Sequence, residues 1–196
     1  MGVILDILGS FVVRAAIVVI ILNLMINLHQ SLSKNTDRIY LNQSISNAGN
    51  IIAADIKLAG FAATDTFAIA RRRNIKFSAD TGNNGTVQTI RYYTVPSIPS
   101  ASAKAILYRE VIGTTTQTLE IATNITDFNI SYYIVTGEPI NGLNVVGIKS
   151  IYITLVMESN ITEKEYYAID AGEYSTGTNV TPLRVKWERH FFPENL

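Results

Sequence analysis

The chain has 196 residues, with 16 basic and 16 acidic side chains, no cysteine and two histidines. This length suits one domain, or one domain with an extended element, and argues against a second full domain. Zero formal charge excludes a global field that would draw the protein to nucleic acid or an acidic substrate, and the lack of cysteine excludes disulfides, thiolate metal sites and thiol nucleophiles.

The N-terminal segment is apolar. Val12 to Leu28 reads VVRAAIVVIILNLMINL, and with Ile4 to Phe11 before it the stretch reaches the roughly 20 residues that span a bilayer. A buried core helix is the plain alternative, but few soluble domains hold so long an apolar run. The apolar region of a secretory signal, at about 7 to 15 residues, is shorter. Residues 1–28 are therefore expected to form a membrane or filament-core helix.

Asp6, Arg14, Asn23 and Asn27 interrupt this run. A charge at mid-helix costs about 2.5 to 3.5 kcal/mol in lipid, so these four are the candidate subunit-interface residues. Asp6 and Arg14 stand about 80° apart around a helix and about 12 Å apart along it, too far to pair within one chain. Between staggered parallel neighbours the acid of one chain could meet the arginine of the next and set an axial register. The plainer reading is that both charges snorkel to the interface. Lys34 and Arg38 follow the span, which on the positive-inside rule weakly favours a cytoplasmic C-terminal side, but large domains translocate largely regardless of charge.

Beyond Leu28 the chain turns polar while Leu41, Ile45, Ala48, Ile52, Ile56 and Ala59 keep a helical beat. No proline occurs before Pro96, so one helix from about residue 10 to about residue 58 is expected, with Gly60 as its stop. Residues 29–60 form the amphipathic helical stem, and 61–196 the β-rich globular portion.

In that portion the period changes towards two. Strands are expected at 87–95, 104–112, 117–122, 128–135 and 147–157, with weaker segments at 163–170 and 183–192. Phe128, Ile130, Tyr132 and Ile134 share one face, as do Ile151, Ile153, Leu155 and Met157. The fold class is therefore α+β: a long N-terminal helix packed on an antiparallel sheet with one face covered.

These residues carry a family resemblance. Ala54-Asp55-Ile56-Lys57-Leu58-Ala59-Gly60-Phe61, Ile90-Arg91-Tyr92-Tyr93, Leu107-Tyr108-Arg109, the run from Ile121 to Phe128 with Tyr132-Tyr133, Ile148 to Met157 and the tail Phe192-Pro193-Glu194-Asn195-Leu196 fall in an order and spacing that resembles PilW-like minor pilins of type IV pili. The related J-type pseudopilins of type II secretion are close behind. The resemblance implies a type IV pilin-like fold and a structural subunit of a pilus or secretion filament. Its partners would be other pilin or pseudopilin subunits, and the membrane before assembly. It implies an inner-membrane anchor with the head outside the cytoplasm, then an extracellular or periplasmic filament. A permanently membrane-anchored adhesion, DNA-uptake or assembly-platform protein is the alternative.

The sequence departs from that family at its start. Such proteins usually carry a basic leader ending in glycine, cut by prepilin peptidase, and glutamate at the fifth mature position. Met1 to Gly9 holds no lysine or arginine. A cut after Gly9 would place Arg14 at the glutamate position, and a cut after Gly2 would make Asp6 fourth.

Outside the anchor, Arg71, Arg72 and Arg73 with Lys76 form the sharpest charge cluster. Close cations can neutralise successive phosphates of a nucleic acid, although a solvated loop beside the sheet is the plainer explanation. Glu158, Glu163, Glu165, Asp170 and Glu173 could supply oxygen ligands to calcium but lack a spaced loop signature. Six Asn-X-Ser/Thr sequons begin at Asn42, Asn84, Asn124, Asn129, Asn160 and Asn179, as an asparagine- and threonine-rich composition produces by chance. No nucleophile elbow, phosphate loop or HExxH helix is present, so the chain is read as a non-enzyme with no catalytic residue, cofactor or metal.

Overall fold

The computed structural model describes residues 2–61, 67–80, 82, 85–134, 147–159 and 182–193, with side chains from Gly9 onward. The chain forms two compact units, Met1–Tyr40 and Leu41–Leu196. One helix, α1 (Gly2–Lys57), contributes to both.

Within the first unit α1 is exposed on every described side, and Phe11, Ile17, Ile20, Leu24 and Leu28 all stand open. This part of the helix is long and apolar enough to cross a membrane. Its helicity needs no tertiary support in lipid, where every backbone N–H and C=O must be satisfied within the segment.

In the second unit the expected helical beat becomes a buried stripe. Leu41, Ile45, Ala48, Ile52, Ile56 and Ala59 are all at most 3% exposed and join the sheet residues in one core. Each large member contributes about 1.5 to 3 kcal/mol on removal from water. The helix stops as the sequence predicts: Gly60 has a φ of 80°, a left-handed conformation that costs glycine little because it has no Cβ. The Gly60 N–H donates to the Ser78 carbonyl at 2.9 Å, and the Asp80 N–H donates to Phe61 at 3.2 Å, joining the helix end to the sheet.

Among the described residues seven strands follow: β1 (Phe67–Arg71), β2 (Asn74–Ala79), β3 (Gln88–Val95), β4 (Ala105–Ile112), β5 (Thr116–Tyr133), β6 (Ser150–Glu158) and β7 (Arg184–Phe191). They make one sheet in chain order, each antiparallel to the next. Alternate residues bury one face, among them Ile75 and Phe77, Ile90 and Tyr92, Phe128 and Ile130, and Ile151 and Ile153. The covered antiparallel sheet expected from the period-two pattern is the one observed.

Two features differ from the sequence expectation. The hairpin of β1 and β2 was not anticipated. The separate strands expected at 117–122 and 128–135 are one continuous β5, because Asn124 takes a φ of 57° and the register shifts nearby, between Ala105 and Leu107 on one side and Ile125 and Asp127 on the other. An asparagine in the left-handed region within a bulge bends a strand without ending it. The weaker segment at 163–170 and the tail from Glu194 lie outside the described residues.

Candidate functional site

The exposed apolar helix is one candidate surface. Arg14, Asn23 and Asn27 are all exposed on it. Asn23 and Asn27, one turn apart, share a face, whereas Arg14 lies about 180° around the helix from Asn23. The backbone of Asp6 belongs to the same unbroken helix, and its side chain lies outside the described residues.

At the other end of α1, Asp55 enters the core at 6% exposure. Arg109 of β4 grips it, with Nε donating to Oδ2 at 2.6 Å and Nη2 donating to Oδ1 at 3.1 Å. Tyr92, the cross-strand neighbour of Arg109 on β3, donates its hydroxyl to the same Oδ2. Burial first, and then the Asp55 charge, push the Tyr92 phenol well above its ordinary range, while the hydrogen bond to Asp55 raises Arg109 further. The carboxylate is thus met by a planar fork and a hydroxyl, the condition under which a buried charge is tolerated. It fixes the helix to two neighbouring strands and leaves no free group for chemistry. Trp187 of β7 seats against the helix at Gly49, where an added Cβ would lie 2.4 Å from the indole Cε2.

The three consecutive arginines sit at the β1–β2 hairpin, with Arg71 ending β1 and Arg72 and Arg73 forming the turn. They line an open cavity of about 340 Å³ together with Arg91, Tyr93 and Thr94 of β3. Lys76 is not among the lining residues. It lies on β2 opposite Arg91, and Arg91, which the sequence reading did not single out, supplies the fourth cation. The signal was present, because residues i and i+2 on a strand share a face and Arg91 and Tyr93 both belong to the strand expected at 87–95.

Neutral amides position two of these guanidinium groups. Arg72 Nε donates to Asn129 Oδ1 at 2.7 Å, and Arg91 Nε donates to Asn74 Oδ1 at 3.1 Å. Arg91 also lies 4.4 Å over the Tyr93 ring and 3.5 Å from Glu110. Among the described residues the Arg73 Nε is buried without a hydrogen-bond partner, as is the Thr94 hydroxyl.

The remaining candidates resolve differently. Glu158 is 3% exposed, and its carboxylate accepts from Arg184 at 2.7 Å with Lys104 at 3.9 Å, so that side chain is committed to cations of the chain itself. Glu163, Glu165, Asp170 and Glu173, and the sequons at Asn84, Asn160 and Asn179, lie outside the described residues. Asn129 holds Arg72, whereas Asn42 is exposed on α1. His29 is on α1, and His190 is on β7 beside Ser150 and Phe192, with its ring 4.4 Å from that of Phe192.

No protein-family model and no curated protein matches the sequence. Among solved structures, a type IV-like pilin from Thermus thermophilus is similar with a TM-score of 0.53 at 12% identity, over 80% of this chain and 98% of that one. An N-terminal apolar helix, a buried helical stripe and a seven-stranded antiparallel sheet, set beside that likeness, make the fold type IV pilin-like α+β.

Proposed function

We propose that this chain is a structural subunit of a pilus-like or secretion filament that assembles through its N-terminal helix, with minor pilin or pseudopilin as the role its sequence resembles. The observation that carries the reading is the helix surface from Phe11 to Leu28, exposed throughout and apolar except at Arg14, Asn23 and Asn27, on a chain of type IV pilin-like fold. Exposed apolar surface of this extent needs a cover. Lipid supplies one before assembly, and the helices of neighbouring subunits supply another after it, with Asn23 and Asn27 available to hydrogen-bond across helices. Its partners on this reading are other pilin or pseudopilin subunits, and its head works outside the cytoplasm.

Shearing of filaments from cells, followed by peptide identification and electron microscopy, tests the proposal. The expected result is this chain traced into the filament. Retention in the membrane fraction while filaments form without it would overturn the reading in favour of a permanently anchored protein.

A further inference from the structure

We propose that the cavity at the β1–β2 hairpin is a binding site for a phosphate group, a function separate from assembly and independent of whether the chain polymerises. Arg71, Arg72, Arg73 and Arg91 converge on one cavity of about 340 Å³, in a chain whose total charge is zero. Among the described residues, Arg91 alone of these four forms an ion pair with a carboxylate, Glu110 at 3.5 Å.

The way the guanidinium groups are held sharpens this. An arginine that serves the fold is normally gripped by a carboxylate, as Arg109 is by Asp55 in the same sheet. Arg72 is instead held by the amide oxygen of Asn129, and Arg91 by that of Asn74 alongside its ion pair with Glu110. An amide acceptor fixes the orientation of the fork and leaves its positive charge uncancelled. Arg73 adds an Nε that is buried and finds no acceptor among the described residues, a position that costs free energy unless an acceptor arrives.

The geometry selects the ligand class. One carboxylate is matched by one guanidinium fork, whereas forks supplied by a strand end, a turn and a neighbouring strand suit the several oxygens of a tetrahedral phosphate. Base stacking is not the recognition mode, because Arg91 already covers a face of the Tyr93 ring at 4.4 Å. The site therefore reads the phosphate and not what it is attached to. A free oligophosphate and the backbone of a nucleic acid share that chemistry.

The test uses the full chain in non-ionic detergent at low salt, titrated with tripolyphosphate by calorimetry. Saturable binding with one site per chain is expected, weakened at least about tenfold in the double variant R72Q/R73Q, which removes two charge-assisted forks. Asn129→Asp guards against misfolding: it keeps a partner for Arg72 while neutralising it, and should weaken binding about as much as the loss of one fork. Lys76→Gln, beside Arg91 but outside the cavity, should weaken binding less than R72Q/R73Q does. Absence of saturable binding, or equal losses in Lys76→Gln and R72Q/R73Q, would overturn the site in favour of diffuse surface charge. Competition by a mixed-sequence single-stranded oligonucleotide at the same arginines would assign the phosphate to a nucleic acid, and tripolyphosphate binding without such competition would assign it to a small phosphate. Either result upholds the site.

Discussion

Arg109 of the fourth strand and Asp55 of the helix meet through two hydrogen bonds, at 2.6 and 3.1 Å, inside the core. Removing one partner strands the other charge in a poorly solvated place. Asp55→Ala should therefore destabilise the head by about 3 kcal/mol, the low end for a buried pair, because the Arg109 side chain keeps 21% of its surface in water. The double variant D55L/R109M should lose less than the two single changes added together. Urea unfolding of the detergent-solubilised chain, read by the fluorescence of its single tryptophan, measures both.

Tyr92 makes the same site sensitive to alkali. Burial, and then the Asp55 charge, keep its phenol protonated in the folded chain well above the usual range, while the unfolded phenol ionises near pH 10. The folded state then binds more protons, so the contribution of this group is complete below about pH 10 and declines as pH rises beyond it. Tyr92→Phe should cost about 1 to 2 kcal/mol at neutral pH and should make the fall in stability above pH 10 shallower. Tyr132, raised by burial as well, should leave part of that fall in place. Unfolding midpoints at neutral and alkaline pH give the comparison.

Gly49 and Trp187 set two effects against each other. Alanine at a helix interior gains about 1 kcal/mol over glycine, but its Cβ would lie 2.4 Å from the indole, and such overpacking costs about 1 to 3 kcal/mol. Gly49→Ala should therefore destabilise and shift the tryptophan emission. In a Trp187→Leu background the same change should become neutral or stabilising, as thermal unfolding followed by circular dichroism will register.

For filament assembly, Asp6 and Arg14 yield the sharpest expectation. If the acid of one subunit meets the arginine of a neighbour displaced by about 12 Å, Asp6→Ala and Arg14→Ala should each reduce the yield of sheared filaments, and the exchange D6R/R14D should restore it. An exchange no better than either single change would remove the pairing.

Much of this architecture is written in local patterns. The stripe from Leu41 to Ala59, the glycine stop and the β-branched strands each depend on neighbours three, four or two residues away, so periodicity reveals them. The first hairpin was missed because Phe67–Arg71 and Asn74–Ala79 are short and flank a charge run that resembles a loop. β5 was divided at Asn124 because a left-handed asparagine within a bulge has the composition of a turn. In the arginine cavity the consecutive residues were visible, but Arg91 reaches the same place only through strand pairing, and the amides Asn74 and Asn129 only through tertiary contact. Asp55 could be noticed in the sequence as an acid in a largely apolar stretch, whereas its partners are 37 and 54 residues distant.

The strand order has a consequence for how the molecule is made. A meander closes by successive local hairpins, so sheet pairing can advance as the chain emerges. The helical face that the sheet must cover, however, comes first in the chain, and the indole that seats at Gly49 belongs to the seventh strand. The beginning of the head must wait for its end. Until residue 187 is available, the Leu41 to Ala59 stripe lacks part of its cover, and the emerging chain carries two apolar surfaces in one helix, of which the fold itself conceals the second.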